Sequence, residues 1–149
     1  MADLTSNQLC NICRIHYNAG LRCCSLGTLL EGGYLFARQG GLAWIVACSS
    51  REVSRDWTSR GDAVTVANAS NPCGDWFVPD RHHLSLGQMC SSFWDSFSNT
   101  AYWSNTDGNV LLTYAWHVCF QASPNYGSIS RAGARSCVRC VRAFRRIFY

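Results

Sequence analysis

A chain of 149 residues, 48% apolar and 15% charged, is long enough to bury one core unaided. It holds no run of eighteen uncharged apolar residues, which excludes a membrane-spanning helix. The net charge of +4, carried by thirteen arginines and no lysine, is too mild for a surface that grips nucleic acid by charge alone. Arginine forks onto carboxylates and stacks on aromatic rings, which suits interfaces, although a compositional bias of the source gives the same excess.

The N-terminus, Met-Ala-Asp-Leu-Thr-Ser-Asn-Gln, lacks the basic start and apolar segment of a signal peptide. Ten cysteines, few charges and many aromatic and turn residues are nevertheless traits of secreted proteins. A protein made in a host cytoplasm that works outside a cell, as a virion component does after lysis, reconciles the two.

Residues 1–30 read as an anchoring extension. Leu9, Ile12 and Cys13, with His16, share a helical face capped by Thr5 or Ser6, and Gly20 breaks the pattern. Such a stretch must dock on its own domain or on a neighbouring subunit. Residues 31–149 form the second unit. Tyr34 to Arg38 is β-prone, Gln39-Gly40-Gly41 is a turn, and Leu42 to Ser49 is an apolar strand in mid-core. Ser50 to Ser59 is polar around Trp57, which plugs a loop into the core. Asp62 to Ala69 fits a short helix capped by Asp62 or a strand, and the helix is preferred.

The segment Gly-Asp-Trp-Phe-Val-Pro-Asp, residues 74–80, carries too much aromatic area for a solvent loop, and Pro79 ends its extended run. Asp80 then caps a helix in which Leu84, Leu86, Met89, Cys90, Phe93 and Trp94 partly follow helical spacing. An aromatic return strand, Ala101-Tyr-Trp-Ser, precedes an Asn/Asp/Gly turn at 105–109, and Thr113 to Gln121 is a further strand. The last strand, from Cys137 to Phe144, alternates Cys137, Arg139, Val141 and Ala143 against Val138, Cys140, Arg142 and Phe144. Trp44, Trp57, Trp76 and Trp116 are expected in the core.

Glu31-Gly-Gly-Tyr-Leu-Phe, Leu-Ala-Trp-Ile-Val-Ala with Trp57 after it, Gly-Asp-Trp-Phe-Val-Pro-Asp, Ala-Tyr-Trp-Ser, Tyr-Ala-Trp-His-Val-Cys-Phe and Cys-Val-Arg-Cys-Val-Arg resemble, in order and spacing, the Lcl C-terminal domain family. The family takes its name from the adhesion domain of a bacterial collagen-like protein and occurs in bacterial surface proteins and phage virion proteins. The resemblance covers about residues 31 to 144. It implies an α+β, C-type-lectin-like fold with paired terminal strands, one or two helices and long irregular loops that carry binding. It supplies no catalytic residue. The chain departs from the family pattern at Asp80-Arg81 and at Asn105-Thr106-Asp107.

Each constellation has a plain structural reading beside a functional one. Cys10-x-x-Cys13 and Cys137-x-x-Cys140 have zinc spacing, but residues three apart on a strand face opposite ways, so no metal site is assigned. Disulfides and free buried thiols remain open. Under the lectin-like reading Cys140 lies buried, with Cys73 or Cys90 as its partner. Asn105, Asp107 and Asn109 alternate as calcium ligands do, yet one charge and no bidentate Glu fit a plain turn better. Adjacent His82 and His83 lack metal-pair spacing and read as solvent-facing. Arg135, Arg139, Arg142, Arg145 and Arg146 suit ion pairs to Asp75, Asp80, Asp95 or a neighbouring subunit better than a nucleic-acid strip. No nucleophile elbow or His-Glu-x-x-His motif is present, and the chain is read as a non-enzyme without cofactor.

The expected function is that of a bacteriophage virion protein, a lectin-like module on head or tail. Residues 1–30 would hold other virion proteins, and the loops after Trp57 and Ser104 would face host-surface glycan. Trp103 would stack on a sugar ring, with Asn105, Asp107 and Asn109 as hydrogen-bonding partners. A homo-oligomer is expected. The alternatives are a capsid decoration or cement protein that binds only virion neighbours, and a zinc-stabilised nucleic-acid-binding protein.

Overall fold

The structure, a computed structural model, describes residues 25–30, 32–70, 75–98, 100–108, 113–120 and 129–148. The described residues form a mixed α+β unit of two sheets and two helices, with more residues in strands than in helices.

The first sheet is ordered β1 (Leu29–Leu30), β2 (Gly33–Gln39), β3 (Leu42–Ala47) and β9 (Phe144–Phe148). Gly40 and Gly41, at φ +56° and +80°, make the two-residue hairpin between β2 and β3; both positions need the left-handed region, which only glycine enters freely. β3 reads Leu-Ala-Trp-Ile-Val-Ala and is buried from Ala43 onward, so both its faces and both its edges want partners. The hairpin supplies β2 on one edge and the chain end supplies β9 on the other. The last strand therefore pairs with the second arm of the hairpin, not with the first strand as expected of paired terminal strands.

The second sheet is ordered β4 (Val53–Arg55), β8 (Arg139–Val141), β5 (Ala101–Asp107), β6 (Tyr114–Cys119) and β7 (Ile129–Ala134). The single expected strand from Cys137 to Phe144 is in fact two, one in each sheet. The break falls at Arg142 and Ala143, because strict alternation would have left Arg142 charged in an apolar face. Leaving the strand instead lets its guanidinium reach two carboxylates. β1, β4 and β7 were not foreseen. Leu29 and Leu30 are buried and paired with β2, so the folded unit includes residues assigned to the extension. The anchoring helix expected near Leu9 lies outside the described residues.

Helix α1 spans Asp62–Ser70 and α2 spans Arg81–Met89. Asp80 caps α2 as expected: its carboxylate accepts from the His83 backbone N–H at 2.8 Å. Gly87 lets α2 lie against the core, since a Cβ there would sit 2.6 Å from the ring of Phe144. The helix stops sooner than its spacing suggested. Cys90 leaves helical geometry, a short 3-10 turn over Ser91–Phe93 follows, and extended Trp94 drives its indole into the centre.

Around Trp94 lie Phe36, Tyr102, Phe120 and Phe144, with ring centroids 5.1 to 6.1 Å away and tilted or edge-on. Burial of such side chains contributes roughly 2–3 kcal/mol each. Trp44, Trp57 and Trp76 are buried, while Trp116 is half-buried under the guanidinium of Arg81, 4.3 Å away. Cys90 and Cys140 both pack on the aromatic cluster but carry free thiols, so the expected bridge between them is not made. In a core this aromatic they fill space as small apolar groups. Cys73 lies outside the described residues.

Candidate ligand-binding site

Three segments meet at the second sheet: a short turn, the end of β5 and the residues after β7. The first is a 3-10 turn, Trp57–Ser59, whose cap is Asp56: its carboxylate accepts from Ser59 N–H and from the Thr58 hydroxyl, both at 3.0 Å. The Thr58 bond first, and then that of Ser59, hold the Asp56 carboxyl below its ordinary value. So capped, the turn aims Trp57 inward. Its indole Nε1 donates to the Ser104 carbonyl at 2.8 Å, and its backbone N–H donates to the Arg135 carbonyl at 3.0 Å. One residue thereby ties the turn to β5 and to the segment after β7.

The indole is flanked by cations. Arg60 places its guanidinium 3.5 Å from the Trp57 ring centre and Arg135 places its own 4.1 Å from the same point. Both heads are held. Arg60 Nε donates to Asn105 Oδ1 at 2.8 Å and Nη1 donates to the Trp57 carbonyl at 2.9 Å. Arg135 Nε donates to the Tyr114 carbonyl at 2.9 Å. Arg60 titrates below its ordinary value, first because burial strips water from it and next because Arg135 is close, with Asp107 acting in the opposite sense. Arg135 also lines a surface cavity of about 360 Å³ with Thr113, Tyr114, Ala134 and Ser136.

The residues expected to bind ligand are thus partly reassigned. Trp103 cannot offer a face to a sugar: it is 1% exposed, and its Nε1 donates to the carbonyls of Arg55 and Cys137 at 3.1 and 3.2 Å. Arg139 lies 4.9 Å over its ring and His117 stands edge-on at 5.7 Å. Gly133 makes room for both, as a Cβ there would fall 2.8 Å from His117 Nδ1 and 2.9 Å from Arg139 Nη2. Asn105 and Asp107 are exposed, but on the end of β5 rather than in a turn. Asn105 is fixed there by its backbone N–H, which donates to the Pro79 carbonyl at 2.8 Å. Asn109 lies outside the described residues. Arg60 was not singled out, although Trp-x-x-Arg in a helical turn brings the fourth residue over the first.

A second polar constellation is centred on a buried cation. Arg142, 2% exposed, donates to Glu52 at 3.0 Å and to Asp95 at 3.2 Å. Tyr102 donates its hydroxyl to Glu52, Ser98 donates to Glu52 at 2.8 Å, and Ser49 N–H donates to Asp95 at 2.8 Å. Burial, and then the bond to Glu52, push the Tyr102 phenol well above its ordinary value. Burial works to raise the Asp95 carboxyl, yet the hydrogen bonds from Ser49 and Ser96 and the charge of Arg142 outweigh it and leave it below its ordinary value.

Of the remaining arginines, Arg145 pairs with Asp75 at 2.7 Å, and Arg146 lies over Trp44 and Phe77 at 5.4 and 4.7 Å. The basic tail is therefore dispersed over the molecule rather than arrayed as a strip. His82 is exposed as expected, whereas His83 is half-buried with its ring 4.9 Å from that of Trp44. Among the described residues no group of three His, Cys, Asp or Glu side chains is placed to hold a metal ion. Compared with known proteins, the chain matches no family model, and no curated protein matches it.

Proposed function

We propose that this chain is a C-type-lectin-like module of a bacteriophage virion that binds a host-surface glycan without catalysis, through the rim where the Trp57 turn meets the end of β5. One observation carries the reading: the Arg60–Asn105 hydrogen bond, at 2.8 Å, locks the Trp57 turn to the end of β5, 45 residues away in sequence, making one composite surface from a loop and a strand end. Loop surfaces positioned by a rigid sheet are where recognition is usually built. The loops expected from the sequence to carry binding, after Trp57 and after Ser104, begin at these same two segments. Residues 1–30 would fasten the module to its virion neighbours as part of a homo-oligomer.

The test is a glycan array and host-cell binding with the intact chain and with Asn105→Ala and Asp107→Ala. Binding that both substitutions weaken supports the reading; a blank array and no cell binding overturn it. One observation favours a decoration or cement protein instead: Phe148, 75% exposed at the end of β9, borders a cavity of about 300 Å³ lined by Leu42, Asp75, Phe77 and Arg146. Under that reading the chain adds to capsids or tails lacking it, and Phe148→Ser stops the addition while Asn105→Ala does not.

A further inference from the structure

We infer that the Arg60–Trp57–Arg135 cluster is an oxyanion site, and that the ligand is held by a carboxylate or phosphate substituent rather than by the face of a sugar ring. The inference rests on the proposed binding role and sharpens it. Trp57 is 8% exposed and carries a guanidinium at 3.5 Å and another at 4.1 Å, so it has no face left for a sugar. It serves instead as the post against which two forks are set.

What the forks offer follows from their bonds. Arg60 uses Nε and one Nη1 hydrogen, and Arg135 uses Nε, on protein oxygens. Among the described residues, the Nη2 group of Arg60 and both Nη groups of Arg135 have no acceptor. Each head is oriented at its inner end and open at its outer end, the arrangement in which arginine meets a planar or tetrahedral oxyanion. Charge points the same way. Two guanidiniums on one ring repel each other, and among the described residues Asp107 is the carboxylate that acts on Arg60 against that repulsion. An incoming oxyanion completes the balance and binds where desolvation is already partly done. The cavity beside Arg135, with Tyr114 and Thr113 on its wall, has room for the sugar or chain that bears the group.

The test titrates the intact chain with inorganic phosphate, sodium galacturonate and glucose at fixed ionic strength, following the indole N–H resonance of Trp57 and the heat of binding. Phosphate or galacturonate is expected to shift that resonance saturably and glucose to leave it in place. Arg60→Gln and Arg135→Gln should each weaken the anion by at least about tenfold. Galacturonate binding tighter than phosphate identifies a carboxylate-bearing ligand, and the reverse order a phosphate-bearing one. Glucose binding as well as galacturonate, or either variant binding within twofold of the parent, overturns the inference. Should a Gln variant unfold, Arg60→Lys serves in its place; it keeps the charge, loses the fork, and is expected to lose affinity. Cell binding that survives Arg60→Gln with Arg135→Gln sinks the oxyanion site alone. Anion binding without any cell or glycan binding sinks the lectin role and leaves the site standing.

Discussion

Arg142 and the Arg60–Arg135 pair are two solutions to placing arginine against tryptophan. Arg142 lies 4.9 Å from the Trp94 ring and is met by two carboxylates, with Tyr102, Ser98 and Ser49 completing the acceptors' shells. Arg60 and Arg135 lie closer to their indole, share it, and face less negative charge. Closure in the first case fixes a chain break between two sheets; openness in the second leaves donors at the surface. A buried cation met by two carboxylates stabilises a structure, whereas paired cations with donors left over at the surface can take a ligand.

The largest way to break this contrast is Arg142→Met. It leaves Glu52 and Asp95 without their cation, and the expected loss is about 3–5 kcal/mol in chemical denaturation. A loss below about 1 kcal/mol means the network is not closed as described. Gly87→Ala probes the wall behind it, since the new methyl meets the rings of Phe144 and Trp94 at 2.6 and 3.0 Å. Overpacking costs roughly 1–3 kcal/mol and the gain in helix propensity returns about 1, so a net loss of up to about 2 kcal/mol is expected in the same measurement. Arg135→Gln should cost about 1 kcal/mol or less. It removes a cation–ring contact and one hydrogen bond, but it also relieves a repulsion. If it destabilises as much as Arg142→Met, the open pair is structural and the contrast fails.

How much of this the residues announced depends on whether the signal was local. The Gly40-Gly41 hairpin, the Asp80 cap, the Trp57 plug and the pairing of basic tail residues with Asp75 and Asp95 were all legible, because each needs only near neighbours or a charge count. The strand break at Arg142 was not, since nothing in Cys-Val-Arg-Cys-Val-Arg says that Glu52, ninety residues away, waits for that guanidinium. Trp103 misled for a related reason. Its sequence neighbours Ser104 and Asn105 suggest a rim, while β8 and the carbonyls of Arg55 and Cys137 bury it from elsewhere in the chain. Of the candidate site, Asn105 and Asp107 were singled out from the sequence and Arg60 was not; a ring flanked by two arginines is visible only once β5 and the segment after β7 have met.

The smallest expected effect separates the two regions by pH. Asp95 has its carboxyl held below the ordinary value of 3.8, so the unfolded chain takes up that proton first as pH falls; the associated stability is complete above about 3.8 and disappears as pH drops through the folded value. Burial depresses the His83 imidazole below its ordinary 6.5, against the pull of Asp80 and with help from Arg146 and His82. Its unfolded form again binds the proton first, and stability declines once pH falls below about 6.5. Two steps should appear in urea midpoints measured from pH 7 to pH 3. His83→Gln removes the upper step and Asp95→Asn flattens the lower one. Arg135→Gln leaves both in place, because His83 and Asp95 face Trp44 and Arg142, and Asp56, whose depressed carboxyl adds to the lower step, is held by Thr58 and Ser59 rather than by Arg135. A midpoint that stays flat from pH 7 to pH 5 in the parent chain would mean that His83 is solvated, and that the wall of α2 over Trp44 is looser than its packing implies.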